Sequence, residues 1–212
     1  MQNLDAGPIV GLNDQEKKYL LSLVRTTIVS ILENDKLPET EPISDKMYSK
    51  FGVFVTLHKE GNLRGCIGFS QSNFPLVQAT IEAAISAATA DPRFPRVKKE
   101  EMKSITIDVS VLTTPTLMEV DDPRDYLKKI KIGRDGLIVE RNYNIGLLLP
   151  QVPVDLEWDV EDFLANSCMK AGLTPDAWLI KGTKIYKFSC IIMRENHPNG
   201  AVQCIDMAKI SN

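Results

Sequence analysis

The sequence predicts an α+β fold in which mixed or antiparallel sheets are layered with helices in two closely associated subdomains. Three patterns lead to it. Apolar residues recur at helical spacing over residues 20–32, and they alternate at strand spacing over 104–112. Helical and strand signals are also interspersed along the chain rather than segregated. At 212 residues, the chain suits one large domain or two small ones tightly joined.

Taken in order, Asn13 and Glu16 make a capping box, and Leu20, Leu23, Val24, Thr27, Ile28, Ile31 and Leu32 form the apolar stripe of the helix it opens. Pro38 and Pro42 follow in a loop. Residues 52–58 (GVFVTLH) and 63–69 (LRGCIGF) read as strands joined by a hairpin turn at Glu60, Gly61 and Asn62. Asn73, two residues before Pro75, is the expected N-cap of a helix rich in alanine, whose small side chains let its axis approach a sheet. DPRFP at 91–95 stops that helix.

SITIDVSVL at 104–112 places Ile105, Ile107, Val109 and Val111 on one face of a strand. A strand–helix–strand segment therefore spans 63–112, and a parallel crossover is open to it. The junction between subdomains is expected near 114–123. Asp122-Pro123 starts a short helix ending near Lys129, a turn covers Gly133–Gly136, and LIVE and IGLLLP are strands. Asp159 opens a helix with Phe163, Leu164 and Cys168 on one face and Gly172 at its end. KIYKFSCIIMRE at 184–195 reads as one strand buried on both faces.

Composition narrows the function. Twenty-five basic residues against twenty-eight acidic ones leave a net charge of −3, which argues against a nucleic-acid partner, as does the lack of an aromatic-basic motif. Cys66, Cys168, Cys190 and Cys204 are widely spaced beside apolar residues, a pattern of reduced thiols in the cytoplasm. With only His58 and His197 as histidines, no cluster has metal-ligand spacing. The first fifteen residues have neither the basic nor the apolar segment of a signal peptide, and no apolar run is long enough to cross a membrane.

Strand register turns LRGCIG into a site. A three-residue loop pairs Leu57 with Gly65, Val55 with Ile67 and Val53 with Phe69, which gathers those residues and Leu63 on one apolar face. Gly65 then leaves room for the alanine-rich helix. The other face carries His58 opposite Arg64, Thr56 opposite Cys66 and Phe54 opposite Gly68. Arg64 and Cys66 are two residues apart, so their Cα atoms lie roughly 6.5 Å from each other. A guanidinium there favours a thiolate and binds an anionic group such as a carboxylate or phosphate. His58 is diagonal to Cys66, about 7–8 Å away between backbones, which suits a direct thiolate–imidazole pair poorly. Cysteine also packs as a small hydrophobe, and Phe54 over Gly68 fits simple aromatic cover of a strand glycine.

LRGCIG, FPL at 74–76 and AISAATADPRFP at 84–95, followed by VSVL, GLIV, LLPQVPV, WDVEDFL and KAGL, together resemble the AMMECR-type domain family. The resemblance runs from about residue 14 to 195 and implies that 1–212 is a single module of two subdomains. It implies no particular reaction. Through the genomic neighbours of its relatives it suggests a pathway shared with Memo-like and radical-SAM proteins. Its hallmark residues are Leu63, Arg64, Gly65, Cys66, Ile67 and Gly68, while Asp155 stands where the family pattern is associated with glutamate.

Gln151 and Asp155 flank a proline-bounded loop that either brings a carboxylate to the LRGCIG face as a general base or simply enters the next helix. Asp91 and Arg93 read as a helix stop with a weak local ion pair, and KKEEMK at 98–103 as a solvated face. The favoured reading is an enzyme or ligand-binding protein in which Arg64 binds an anionic small molecule and Cys66 is a thiol nucleophile. Thr56, His58, Gly65, Gly68, Gln151 and Asp155 support them. The competing reading is a non-catalytic module for a protein partner, with LRGCIG as a core element. The residues specify no cofactor.

Overall fold

The computed structural model describes residues 11–39 and 41–206, so the reading of residues 1–10 as lacking a leader lies outside it. The fold class is α+β, with two antiparallel sheets of five and four strands. Contacts divide the described chain into two compact units, one of residues 11–112 and 191–205, the other of residues 113–190.

In the first unit, helix α1 (Asp14–Asn34) starts as its sequence dictates. Asn13 Oδ1 accepts from the Glu16 amide at 2.9 Å, and Glu16 Oε2 accepts from the Asn13 amide at 2.6 Å. Asp35 ends it in the left-handed region at φ 53°. Its stripe of Leu20, Val24 and Ile28 is fully buried.

Strands β1 (Gly52–Lys59) and β2 (Asn62–Phe69) form the expected hairpin, with a different turn. Glu60 and Gly61 both have positive φ, at 52° and 80°, and Lys59 pairs with Asn62 across this two-residue turn. Two left-handed positions match the twist of the flanking strands. The surplus residue is absorbed by a bulge at Arg64, because His58 pairs with Leu63 and Leu57 with Gly65. From Gly65 onward the register is the expected one. The bulge corrects two expectations: His58 faces Leu63 rather than Arg64, and Leu63 is 40% exposed instead of joining the apolar face.

Helix α2 (Leu76–Thr89) begins after Pro75 and not at Asn73, with no side-chain cap, since proline supplies helical φ without needing an N–H partner. It lays Ala79, Ala83, Ala84 and Ala87 on the sheet. A Cβ on Gly65 would stand 2.2 Å from the Ala87 carbonyl oxygen, so only glycine lets the helix backbone come this close. Strand β3 (Ile105–Leu112) pairs antiparallel with β1 on its other side. β2 and β3 therefore run in the same direction with β1 between them, and α2 crosses over β1. Val53, Val55, Leu57, Ile105, Ile107, Val109 and Val111, all fully buried, meet the helices.

The stretch 184–195 is two strands, not one. Strand β7 (Lys184–Phe188) belongs to the four-stranded sheet, while β8 (Cys190–Glu195) follows β3 in the five-stranded order β2-β1-β3-β8-β9, with β9 at Val202–Asp206. On the helix side, Arg25 of α1 bonds both Glu195 oxygens and the carbonyls of Met102 and Ile105, while Glu195 Oε2 accepts from the Ile107 amide. This buried pair ties α1 to β3 and β8.

The second unit has the sheet order β4-β7-β5-β6, with β4 at Thr116–Leu117, β5 at Gly136–Arg141 and β6 at Asn144–Leu148. Asp122 caps the turn leading to α3 (Tyr126–Lys129), and α4 (Val152–Asp155) follows β6. Helix α5 (Val160–Lys170) is capped by Asp159 and buries Phe163, Leu164 and Cys168 against Leu137, Val139 and Ile185. Burial pushes the Cys168 thiol up to about 11.

Gly65→Ala is expected to destabilise the protein by about 2–3 kcal/mol, because the added methyl meets backbone and not a movable side chain. Urea unfolding followed by tryptophan fluorescence and far-UV dichroism measures it; a loss below about 0.5 kcal/mol would mean that α2 shifts freely.

Candidate functional site

The face of the five-stranded sheet opposite the helices carries the polar groups. Alternation along β1 puts Thr56 and His58 there, and strand pairing sets Cys66 and Asp108 on either side of Thr56. The Thr56 hydroxyl donates to Cys66 Sγ at 3.2 Å. Asp108, only 5% exposed, takes Arg194 Nε and Nη2 on its Oδ2 at 2.9 and 2.7 Å, and His58 Nε2 lies 3.5 Å from the same oxygen. Burial acts to raise the Asp108 pKa, but His58 and Arg194 outweigh it and hold the carboxyl below its usual range. Its Oδ1 is buried without a hydrogen-bond partner. A row of thiol, hydroxyl, carboxylate and guanidinium thus crosses β2, β1, β3 and β8.

Cys66 lies on an edge strand, and the segment after α2 closes that edge. Asp91 Oδ2 accepts from the Cys66 amide at 2.8 Å, and Arg93 Nη2 donates to the Cys66 carbonyl at 3.2 Å. One acceptor and one donor thereby replace a neighbouring strand. The two side chains are locked to each other by Arg93 Nε on Asp91 Oδ1 at 2.9 Å and Nη2 on Oδ2 at 2.7 Å, with the Phe94 ring 5.5 Å from the guanidinium. Bonds from Arg93 hold the buried Asp91 carboxyl far below the usual carboxylate range, against the opposing effect of burial. Asp91 in turn raises the Arg93 pKa through their hydrogen bonds, against the opposing effect of burial. Arg93 is therefore a fixed cation bonded to the Cys66 backbone, with half of its side chain exposed.

Arg64 is engaged elsewhere. Its Nε and Nη2 bond Glu101 at 3.1 and 3.0 Å, and Nη1 and Nη2 donate to the carbonyls of Pro95 and Arg96. Lys59 joins the same carboxylate at 3.1 Å. KKEEMK is thus more than a solvated face: Glu101 latches the hairpin and Met102 is buried. Bonds from Arg64 bring the Glu101 carboxyl down to about 2, with burial opposing.

Each glycine of LRGCIG has a packing partner. Gly65 meets α2, and a Cβ on Gly68 would stand 2.5 Å from the Phe54 side chain. Gln151 and Asp155 lie in the second unit at α4, where Gln151 Oε1 is buried without a partner and Asp155 is exposed. Sequence reasoning missed Asp108 and Arg194 and underrated Asp91 and Arg93. Asp108 had a signal, an acid in the middle of an apolar strand; the others act through contacts distant in sequence.

A cavity of about 800 Å³ opens on the helix side, lined by Lys18, Arg25, Glu33, Lys103 and Glu195. All three Arg25 nitrogens are already bonded there. Among the described residues no group of three or more His, Cys, Asp or Glu is placed to hold a metal ion, and no helix is long and apolar enough to cross a membrane.

The AMMECR1 family model matches residues 21–193. The chain is 50% identical over 198 residues to Protein MK0488 of Methanopyrus kandleri, covering 92% of this chain and 96% of that one. It is 49% identical over 200 residues to Protein PH0010 of Pyrococcus horikoshii, covering 91% and 96%. The crystal structure of PH0010, an uncharacterized protein, superposes with a TM-score of 0.88 at 47% identity, over 92% of this chain and 98% of that one.

The Glu101 latch sets an acid limit. Its carboxyl titrates lower in the folded state, about 2, than the ordinary 4.5, so its contribution is complete above pH 4.5 and is lost as pH falls toward 2. Glu101→Gln is expected to cost on the order of 1–2 kcal/mol at pH 7 after solvent screening, and nothing near pH 2. Urea midpoints between pH 2 and 7 check this, and a deficit independent of pH would refute the latch.

Proposed function

The chain belongs to the AMMECR1 family, and from that premise we propose that it is a ligand-binding enzyme with Cys66 as thiol nucleophile. The observation that carries this reading is the Thr56 hydroxyl on the half-buried Cys66 thiol at 3.2 Å, with the Arg93 guanidinium held on the carbonyl of the same residue. A hydrogen bond to the sulfur and a cation held on the same residue favour the thiolate, which is the nucleophilic form. The half of Arg93 that remains exposed binds an anionic group of the ligand, the part that the sequence pattern assigns to Arg64. Arg64, with each nitrogen already bonded, serves the framework instead.

His58 on the neighbouring strand and the Asp108–Arg194 pair beyond it supply further polar groups, Asp108 about two strand spacings from the thiol strand, roughly 10 Å. A working thiol of this kind belongs in a reducing compartment, so we place the protein in the cytoplasm. The non-catalytic alternative draws on Gly65 and Gly68, whose close contacts make LRGCIG a framework strand. It leaves the Thr56 hydroxyl on the Cys66 sulfur without a task.

Iodoacetamide labelling at pH 7, with each cysteine followed by peptide mass spectrometry, tests the proposal. Cys66 is expected to react about tenfold faster in the folded protein than in urea, and Arg93→Ala to remove most of that gain. Arg64→Ala is expected to leave the gain intact. A folded Cys66 slower than its unfolded control would sink the nucleophile reading.

A further inference from the structure

We infer that the cavity beside α1 is a docking groove for an acidic peptide segment held in extended conformation. It lies on the helix side of the five-stranded sheet, away from Cys66, so it stands whether or not the thiol is a nucleophile. The cavity, of about 800 Å³, is a trough open along its length. One wall is a row of α1 side chains at i, i+4 spacing: Lys18, Ser22, Thr26, Ser30 and Asn34. From Lys18 to Asn34 that wall runs about 24 Å, the reach of about seven residues of extended chain.

The wall suits a chain whose backbone groups are unpaired. Among the described residues the hydroxyls of Ser22, Thr26 and Ser30 have no hydrogen-bond partner, whereas Thr80, Thr89 and Ser167 each donate to the carbonyl four residues back in their own helices. Three free hydroxyls in line match the N–H and C=O groups of an extended peptide, which a helix would already have paired internally. A helical, apolar partner finds little to hold. Leu21 and Met102 are already buried, which leaves Val29 and Val202 as the larger aliphatic side chains half exposed to the trough. Among the described residues that line it none is aromatic, so single-stranded nucleic acid has no stacking platform.

Charge selects a segment that carries acids. Both carboxylates of the trough are paired, Glu195 with Arg25 and Glu33 with Lys99 at 2.7 Å. Lys18 and Lys103 also line it, and neither has an ion-pair or hydrogen-bond partner among the described residues. Two uncompensated ammonium groups thus face one groove of a chain whose net charge is −3. Arg25 bonds the Met102 carbonyl, which sets the next residue, Lys103, near the Arg25 level of α1, about 10 Å along the helix from Lys18. That separation spans about three residues of extended chain, the spacing expected between the acidic side chains of the peptide.

The groove is preformed. Arg25 Nε bonds Glu195 Oε1 at 2.9 Å, and its Nη1 and Nη2 bond the carbonyls of Met102 and Ile105 at 3.1 and 2.8 Å. One side chain therefore fixes α1, the 102–105 segment and β8 to one another, and binding pays little to order them.

The test selects random heptapeptides on the full chain by phage display and measures the recovered sequences by fluorescence anisotropy. They are expected to share two acidic positions about three residues apart. Lys18→Ala and Lys103→Ala are each expected to weaken them about tenfold, as loss of one charged hydrogen bond does. Thr26→Trp, which fills the groove from an exposed position, is expected to remove binding. Lys50→Ala, which takes an equal charge from the surface elsewhere, is expected to change affinity less than about twofold. Urea midpoints show whether each variant is folded. No consensus, a basic or apolar consensus, or an affinity unmoved by both lysine changes would overturn the inference. Free glutamate or inorganic phosphate competing at the peptide's own concentration would overturn it too, because that marks a site for a small anion only.

Discussion

The Asp91 carboxylate is the constraint on which the candidate site depends. It follows the last turn of α2, is almost fully buried, and takes four hydrogen bonds: one from the Cys66 amide and three from Arg93. A buried charge is tolerable only when its donors are in place, so the ionised form and the local geometry require each other. Removing Arg93 leaves an uncompensated anion against an edge strand; removing Asp91 leaves a strand amide open and a guanidinium unanchored. One side chain therefore follows a helix, closes a sheet edge and fixes a cation on the Cys66 backbone.

The hairpin bulge decides which arginine that cation is. With strict alternation, Arg64 and Cys66 would share a face. The extra residue at Arg64 breaks the alternation, and its guanidinium goes instead to Glu101 and the loop carbonyls of Pro95 and Arg96. LRGCIG is then divided by task. Leu63 is exposed near the turn, Arg64 latches the hairpin, Gly65 admits α2, Ile67 faces the core, and Gly68 accepts Phe54. Cys66 presents its side chain to the face of Thr56, whose hydroxyl bonds its sulfur.

Local and periodic features were legible in the sequence. The Asn13–Glu16 box, the alternation of β3, the Asp159 cap and the room left by Gly65 all follow from residue type and spacing, and each is found. The turn length was not legible, because Glu60 takes a left-handed φ that its side chain does not advertise. The break at Ser189 was hidden for a related reason: strands buried on both faces read as one continuous apolar run whether or not they change sheets. Asp91, Arg93 and Arg194 escaped because their partners lie 25, 27 and 86 residues away in the chain. Short spacing made Asp91 and Arg93 look like a local pair worth little, whereas burial and the strand edge make the pair structural.

Asp91 and Arg93 cancel as a pair at long range, yet each holds one backbone group of Cys66, the carboxylate its amide and the guanidinium its carbonyl. The carboxylate also removes the rotamer freedom that a half-exposed arginine otherwise keeps, so no ordering cost remains when a ligand or a developing negative charge arrives. The same arrangement recurs two strands away, where Asp108 fixes Arg194 and stands beside His58. At both places a well-buried carboxylate holds an arginine that is about half exposed, with buried and exposed roles split between the two partners. That division lets one sheet face be rigid where it meets the fold and reactive where it meets solvent.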